Sequence, residues 1–124
     1  MKVPDPTKGI PAITTAKLPV QVGDGLIMRL ATEDDSDAVV GINVNTMAEG
    51  PDDARRLSAF VRDLISPAHP TCGPSRFTLV EDMRTRKVVS SLCLIPQTWS
   101  YAGIPFGVGQ LEIVSTEPEY RRRG

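Results

Sequence analysis

Hydrophobic positions in this chain follow two periods. Arg76-Phe-Thr-Leu-Val-Glu-Asp82 alternates apolar and polar residues, the spacing of a half-buried strand. Leu26–Leu30, Lys87–Ile95 and Val108–Thr116 are further runs with strand character. Between the first of these and Arg76 the period changes to that of a helix. Ala38, Val39, Ile42 and Val44 form one stripe, and Leu57, Phe60, Val61, Leu64 and Ile65 form a second. Thr32 is a good N-cap for the first helix, and the acidic Glu33, Asp34, Asp35 and Asp37 favour its positive end. That helix is expected to fade near residues 47–50. Pro51 with Asp52 and Asp53 begins the second helix, and Ser66-Pro67 and His69-Pro70 end it.

Met83–Arg86 reads as a polar turn joining two strands into a hairpin, and Pro96–Gly107, with its prolines, glycines and aromatics, reads as a long loop. Residues 1–25 hold four prolines and three glycines without sustained periodicity, so an irregular N-terminal arm is expected there, with one domain over 26–124. The element order is β-α-α-β-β-β. It places the chain in the α/β (α+β) class, with a mainly antiparallel sheet flanked by helices.

Composition narrows the function classes. At 124 residues the chain suits one domain with a single core. Apolar residues make up 40% and charged residues 23%, as in an ordinary globular protein. With a net charge of −1 there is no global basic field to recruit nucleic acid or an anionic membrane, so neither is an expected partner. No apolar run reaches the length of a membrane span, and the Met1-Lys-Val-Pro-Asp-Pro start has no secretory h-region; a cytoplasmic protein is expected. Cys72 and Cys93 lack metal or CxxC spacing and read as two reduced thiols, Cys93 as a core residue. His69, set among prolines, reads as a loop residue rather than a base.

Chemistry concentrates in Leu111-Glu-Ile-Val-Ser-Thr-Glu-Pro-Glu-Tyr-Arg-Arg-Arg-Gly124. A strand, a proline stop and a loop of arginines and glycine are parts from which proteins build a seat for phosphate, through backbone N–H groups at the start of a following helix. Taken alone, Arg121–Arg123 also reads as a solvated basic segment.

This segment, after the order β-α-α-β-β-β, resembles the GNAT superfamily of N-acetyltransferases. The family's acyl-CoA signature is Gln/Arg-x-x-Gly-x-Gly/Ala, and Arg121, Arg122, Arg123 and Gly124 match its first four positions. Met28-Arg-Leu-Ala-Thr-Glu-Asp-Asp is also like a GNAT first strand and helix start. The resemblance implies an incomplete GNAT fold, the N-terminal part of the domain, interrupted within the signature. It implies acetyl-CoA as cosubstrate, no metal, and direct attack of an amine on the thioester. The amides of Arg122, Arg123 and Gly124 would meet the pyrophosphate, with Arg121 opening the loop. Backbone groups of Val114 and Thr116 would pair with the pantetheine arm. Glu112 is the candidate for taking the amine proton; on an alternating strand it shares a face with Val114 and Thr116. A cross-strand partner for a basic residue is the competing role for Glu112.

Further expectations follow from the resemblance. The acceptor is a small-molecule or peptide amine. It would enter near residues 45–53, where Asp52 and Asp53 suit a cation and equally suit a helix start. Trp99, Tyr101 and Phe106 would line an acceptor pocket or cover the core. The arm, the long loop and the Glu-Pro-Glu-Tyr lead-in resemble the larger, multidomain Eis-like acetyltransferases. A homo-oligomer or the remainder of the same polypeptide would then complete the site. Residues 1–124 alone are expected to bind acyl-CoA weakly and to catalyse nothing. The alternative is a non-catalytic GNAT-like module that binds acyl-CoA or supports an assembly.

Overall fold

A computed structural model describes residues 17–123. Among the described residues, five strands form one antiparallel sheet in sequence order: β1 (Val20–Gly23), β2 (Leu26–Leu30), β3 (Phe77–Asp82), β4 (Lys87–Tyr101) and β5 (Ile104–Thr116). Two helices, α1 (Ser36–Met47) and α2 (Pro51–Ile65), lie between β2 and β3. The order β-β-α-α-β-β-β thus keeps the expected α+β class and adds one strand.

That strand is a correction to the expected arm. Val20–Gly23 pairs with β2 through Val20 opposite Met28 and Gln21 opposite Ile27. Gly23 and Gly25, read as signs of irregularity, serve the tight reversal instead, with Gly25 at φ 69°. The part of the arm over residues 1–16 lies outside the described residues, as does Gly124.

The helix starts follow their sequence signals. The Thr32 side chain and the Asp35 carboxylate form a reciprocal capping box over a short 3₁₀ turn, which α1 continues. Arg29 on β2 fixes that turn from the sheet, donating to Asp35 at 2.7 and 2.8 Å and to Glu81 on β3 at 2.9 Å. Pro51 stands at the first turn of α2. Asp53 accepts from the Glu49 amide at 2.9 Å, and Asp52 pairs with Arg55, so both carboxylates act in the helix start.

One core holds the layers together. Val39 and Val40 of α1 and Val61, Leu64 and Ile65 of α2 pack with Phe77 and Leu79 of β3, Cys93 and Ile95 of β4 and Ile113 of β5. The partners in register place Ser91, Cys93 and Ile95 on this helix-covered face, and Ser90, Leu92 and Leu94 on the other.

The second correction concerns residues 96–107. They form no loop: β4 and β5 run on as a two-stranded ribbon to Tyr101 opposite Ile104, closed by Ala102 (φ 50°) and Gly103 (φ 78°). Pro96 is tolerated because β3 ends opposite Cys93, so one side of β4 has no partner strand beyond that point.

Candidate functional site

The site begins at a break in β5. Glu112 pairs with Cys93, and Ser115 pairs with Ser91, so Ile113 and Val114 stand outside the register while β4 gives up only Leu92. Ile113 carries φ 43°, a left-handed conformation that a β-branched residue adopts only under constraint. Its side chain, 7% exposed, is held in the core, which supplies that constraint. Beyond the bulge, the Ser115 hydroxyl donates to Asn43 Oδ1 at 2.6 Å, while Asn43 Nδ2 donates to the Val39 carbonyl at 2.8 Å. Both residues are buried, so α1 grips β5 immediately after its irregular segment.

The bulge shifts the alternation by one residue. Glu112 opposes Cys93 and stands on the helix-covered face, whereas Thr116 opposes Ser90 on the far face, where the two hydroxyls lie 2.8 Å apart. The expectation that Glu112 shares a face with Val114 and Thr116 is therefore overturned. Glu112 accepts instead from Gln110 Nε2 at 2.5 Å. Gln110 Oε1 accepts from Gln97 at 2.7 Å, and Gln97 Oε1 accepts from the Trp99 indole at 2.6 Å. A continuous polar row thus leads from Glu112 out along the ribbon.

After β5 the chain makes a 3₁₀ turn over Pro118–Tyr120 and enters the arginine segment. The Tyr120 hydroxyl donates to Asp82 Oδ2 at 2.7 Å. Asp82 is 1% exposed and also takes the Arg84 guanidinium; that cation first, and the Tyr120 hydroxyl second, hold its carboxyl well below the usual carboxylate range. Asp82 in turn raises the Tyr120 phenol. Tyr120 is thereby committed as an anchor, in keeping with its place in the loop's lead-in. Arg121 Nε donates to the Thr116 carbonyl at 3.0 Å, and Arg123 lies 4.7 Å from the centre of the Tyr120 ring. Arg122 has φ 61°, is exposed, and makes no side-chain hydrogen bond or ion pair among the described residues.

Two adjoining clefts share Thr116 and Arg121. One, of about 480 Å³, lies between the uncovered sheet face (Val80, Ser90, Thr116) and Tyr120–Arg123. The other, of about 350 Å³, runs from Thr46 and Met47 at the end of α1 to Val114, Ser115 and Arg121. Thr116, Arg121, Arg122 and Arg123 line the first cleft, and Val114, Thr116 and Arg121 line the second; Glu112 lines neither.

The acetyltransferase (GNAT) domain family matches residues 28–124, from within β2 through the arginine segment. The chain belongs to the GNAT acetyltransferase family. No curated protein matches it. Among solved structures, N-myristoyltransferase from Saccharomyces cerevisiae with bound myristoyl-CoA aligns with a TM-score of 0.65 at 15% identity, over 86% of this chain and 26% of that one. A protein from Pyrococcus horikoshii, provisionally assigned as an acetyltransferase, aligns with a TM-score of 0.60 at 18% identity, over 85% of this chain and 32% of that one. At such identities the likeness concerns the fold. This chain spans about a third or less of either protein.

Within the GNAT domain several side chains take places that sequence reasoning left open or missed. Asn43 and Ser115 carry no signal in the sequence, because an Asn on a helix and a Ser on a strand are ordinary until the fold brings them together. Trp99, Tyr101 and Phe106 do not cover the core: they are 50%, 79% and 40% exposed. Trp99 opposes Phe106 and Tyr101 opposes Ile104, so all four share one face of the ribbon with Gln97. His69 Nδ1 accepts the amides of Thr71 and Cys72 at 3.2 and 2.9 Å, a turn-organising role consistent with a loop residue.

Proposed function

We propose that this GNAT domain takes part in acyl-CoA-dependent N-acyl transfer, moving an acetyl group from acetyl-CoA to a small-molecule or peptide amine by direct attack. The observation that carries the reading is that the cleft beside the β5 bulge and the cleft under the arginine segment adjoin, with Thr116 and Arg121 lining both. A pyrophosphate suits the cationic Arg121–Arg123 wall, and Gly124 is assigned to the same contact by its place in the signature. Backbone groups around Val114 and Thr116 lie beside that wall. The bulge releases Ile113 and Val114 from the β4 ladder, which frees backbone donors to polarise a thioester carbonyl and steady the oxyanion.

In this reading, the Glu112 carboxylate takes the proton released as the amine adds to the carbonyl, and the departing CoA sulfur is protonated from solvent. The polar row Gln110–Gln97–Trp99 and the apolar ribbon face beside it form an acceptor wall. Acetyl-CoA serves as cosubstrate, and the scheme requires no metal. A second reading, a non-catalytic acyl-CoA-binding module, draws on the position of Glu112 outside both clefts and its engagement by Gln110.

Glu112→Gln separates the two in the polypeptide that carries this domain. The enzyme reading expects unchanged acetyl-CoA affinity by calorimetry and a transfer rate about 10²–10⁴ lower. An unchanged rate removes Glu112 from the chemistry; acetyl-CoA binding without transfer in the unsubstituted protein supports the sensor reading.

A further inference from the structure

Cys72 and Cys93 lie far apart in sequence, yet their Sγ atoms are 3.2 Å apart. Cys93 is fully buried in β4, opposite Phe77 on one side and Glu112 on the other. Cys72 is partly exposed in the connection between α2 and β3. Burial first, and Cys72 second, push the Cys93 thiol well above the ordinary range, so it is a poor nucleophile toward solvent species. The two thiols therefore differ in access while sharing a contact.

We infer that Cys72 and Cys93 are a reversible disulfide-forming pair, with Cys72 as the thiol that meets a peroxide and Cys93 as the thiol that resolves it. In the first step the Cys72 sulfur attacks the peroxide: an S–O bond forms, the O–O bond breaks, and the departing hydroxide is protonated to water. In the second, the Cys93 sulfur attacks the Cys72 sulfenic acid. The S–S bond forms, the S–O bond breaks, and the leaving hydroxide takes the Cys93 proton as a second water. Two thiols lose two electrons, and one hydrogen peroxide is reduced to two waters.

Closing from 3.2 Å to a bonded sulfur pair requires an approach of about 1 Å. The ladder fixes Cys93, so the approach belongs to the Cys72 side. There the backbone is held by the Cys72 amide on His69 and the Gly73 amide on the Leu64 carbonyl, with Gly73 at φ 94° as the pivot between the cysteine and β3. The bond would clip this connection to the strand residue that pairs with Glu112.

Stoichiometric hydrogen peroxide added to the full chain tests the pair, with alkylation, intact mass and tryptic mapping as readouts. The expected result is loss of both free thiols, a mass lower by two hydrogens, and a cross-link between peptides 63–76 and 88–121 that dithiothreitol reverses. In Cys93→Ala, Cys72 should stop at a sulfenic acid that dimedone traps; in Cys72→Ser, Cys93 should stay reduced. Two alkylable thiols after peroxide, a dimedone adduct persisting in the unsubstituted chain, or a cross-link between two chains would each overturn the inference.

Discussion

The Tyr120 hydroxyl donates to Asp82 Oδ2 across 2.7 Å, fastening the entry of the arginine segment to a carboxylate at the end of β3. Tyr120 and Arg121–Arg123 line the same cleft, so this bond sets where three cations stand relative to Thr116. Tyr120→Phe keeps the ring under Arg123 and removes only the anchor. The expected outcome is acetyl-CoA affinity weaker by about tenfold to a hundredfold, the scale of one lost hydrogen bond to a charged group. Calorimetric titration checks it, and unchanged affinity would show that the segment holds its position without Asp82.

Asp82 also makes stability depend on pH. Its carboxyl lies well below the usual range in the folded chain, through Arg84 and then Tyr120, and Asp35 is lowered in the same direction by Arg29. A carboxylate depressed on folding stabilises the native state at pH above its unfolded value, about 3.9, and that contribution disappears as pH falls toward the native value. The melting temperature should be level above about pH 5 and fall increasingly below about pH 4. Asp82→Asn should flatten part of that fall. A slope identical to that of the unsubstituted chain would remove Asp82 as a cause.

Much of this arrangement was legible in the residues themselves. Thr32 with Asp35, and Pro51 with Asp52 and Asp53, announce their helices because capping is local chemistry. The arginine segment was legible because a strand, a proline and three cations occur in unbroken succession. The bulge was not. Glu112, Val114 and Thr116 keep a flawless alternation, and the shift arises from Ile113 being drawn into the core and Ser115 onto Asn43, contacts that depend on α1. The ribbon was hidden for a related reason. Pro96, Gly107 and Gly109 disfavour a central strand, but they lie beyond the end of β3, where only one side of β4 is paired.

The Ser115–Asn43 bond should behave as a unit. Asn43→Ala leaves the Ser115 hydroxyl buried without its partner and is expected to cost about 1–3 kcal/mol in chemical denaturation. Ser115→Ala should cost a comparable amount, and the double substitution distinctly less than the sum. Additive costs would show that the two residues contribute independently and that α1 does not hold β5 through this bond.

The ribbon tip carries a correctable strain. Ala102 sits at φ 50° as the first residue of a two-residue turn, a position where Asn is better tolerated because its short polar side chain suits the left-handed conformation. Gly103, at φ 78°, already suits its place. Ala102→Asn should therefore stabilise the hairpin by part of the left-handed penalty of about 1–2 kcal/mol. It should do so without altering the Ser115–Asn43 pairing at the other end of β5. Amide exchange should slow in residues 96–107 and stay unchanged near Thr116, because the substitution acts where the two strands pair only with each other. Faster exchange in the ribbon would mean that the left-handed pair at its tip is not the turn that sets the β4–β5 register.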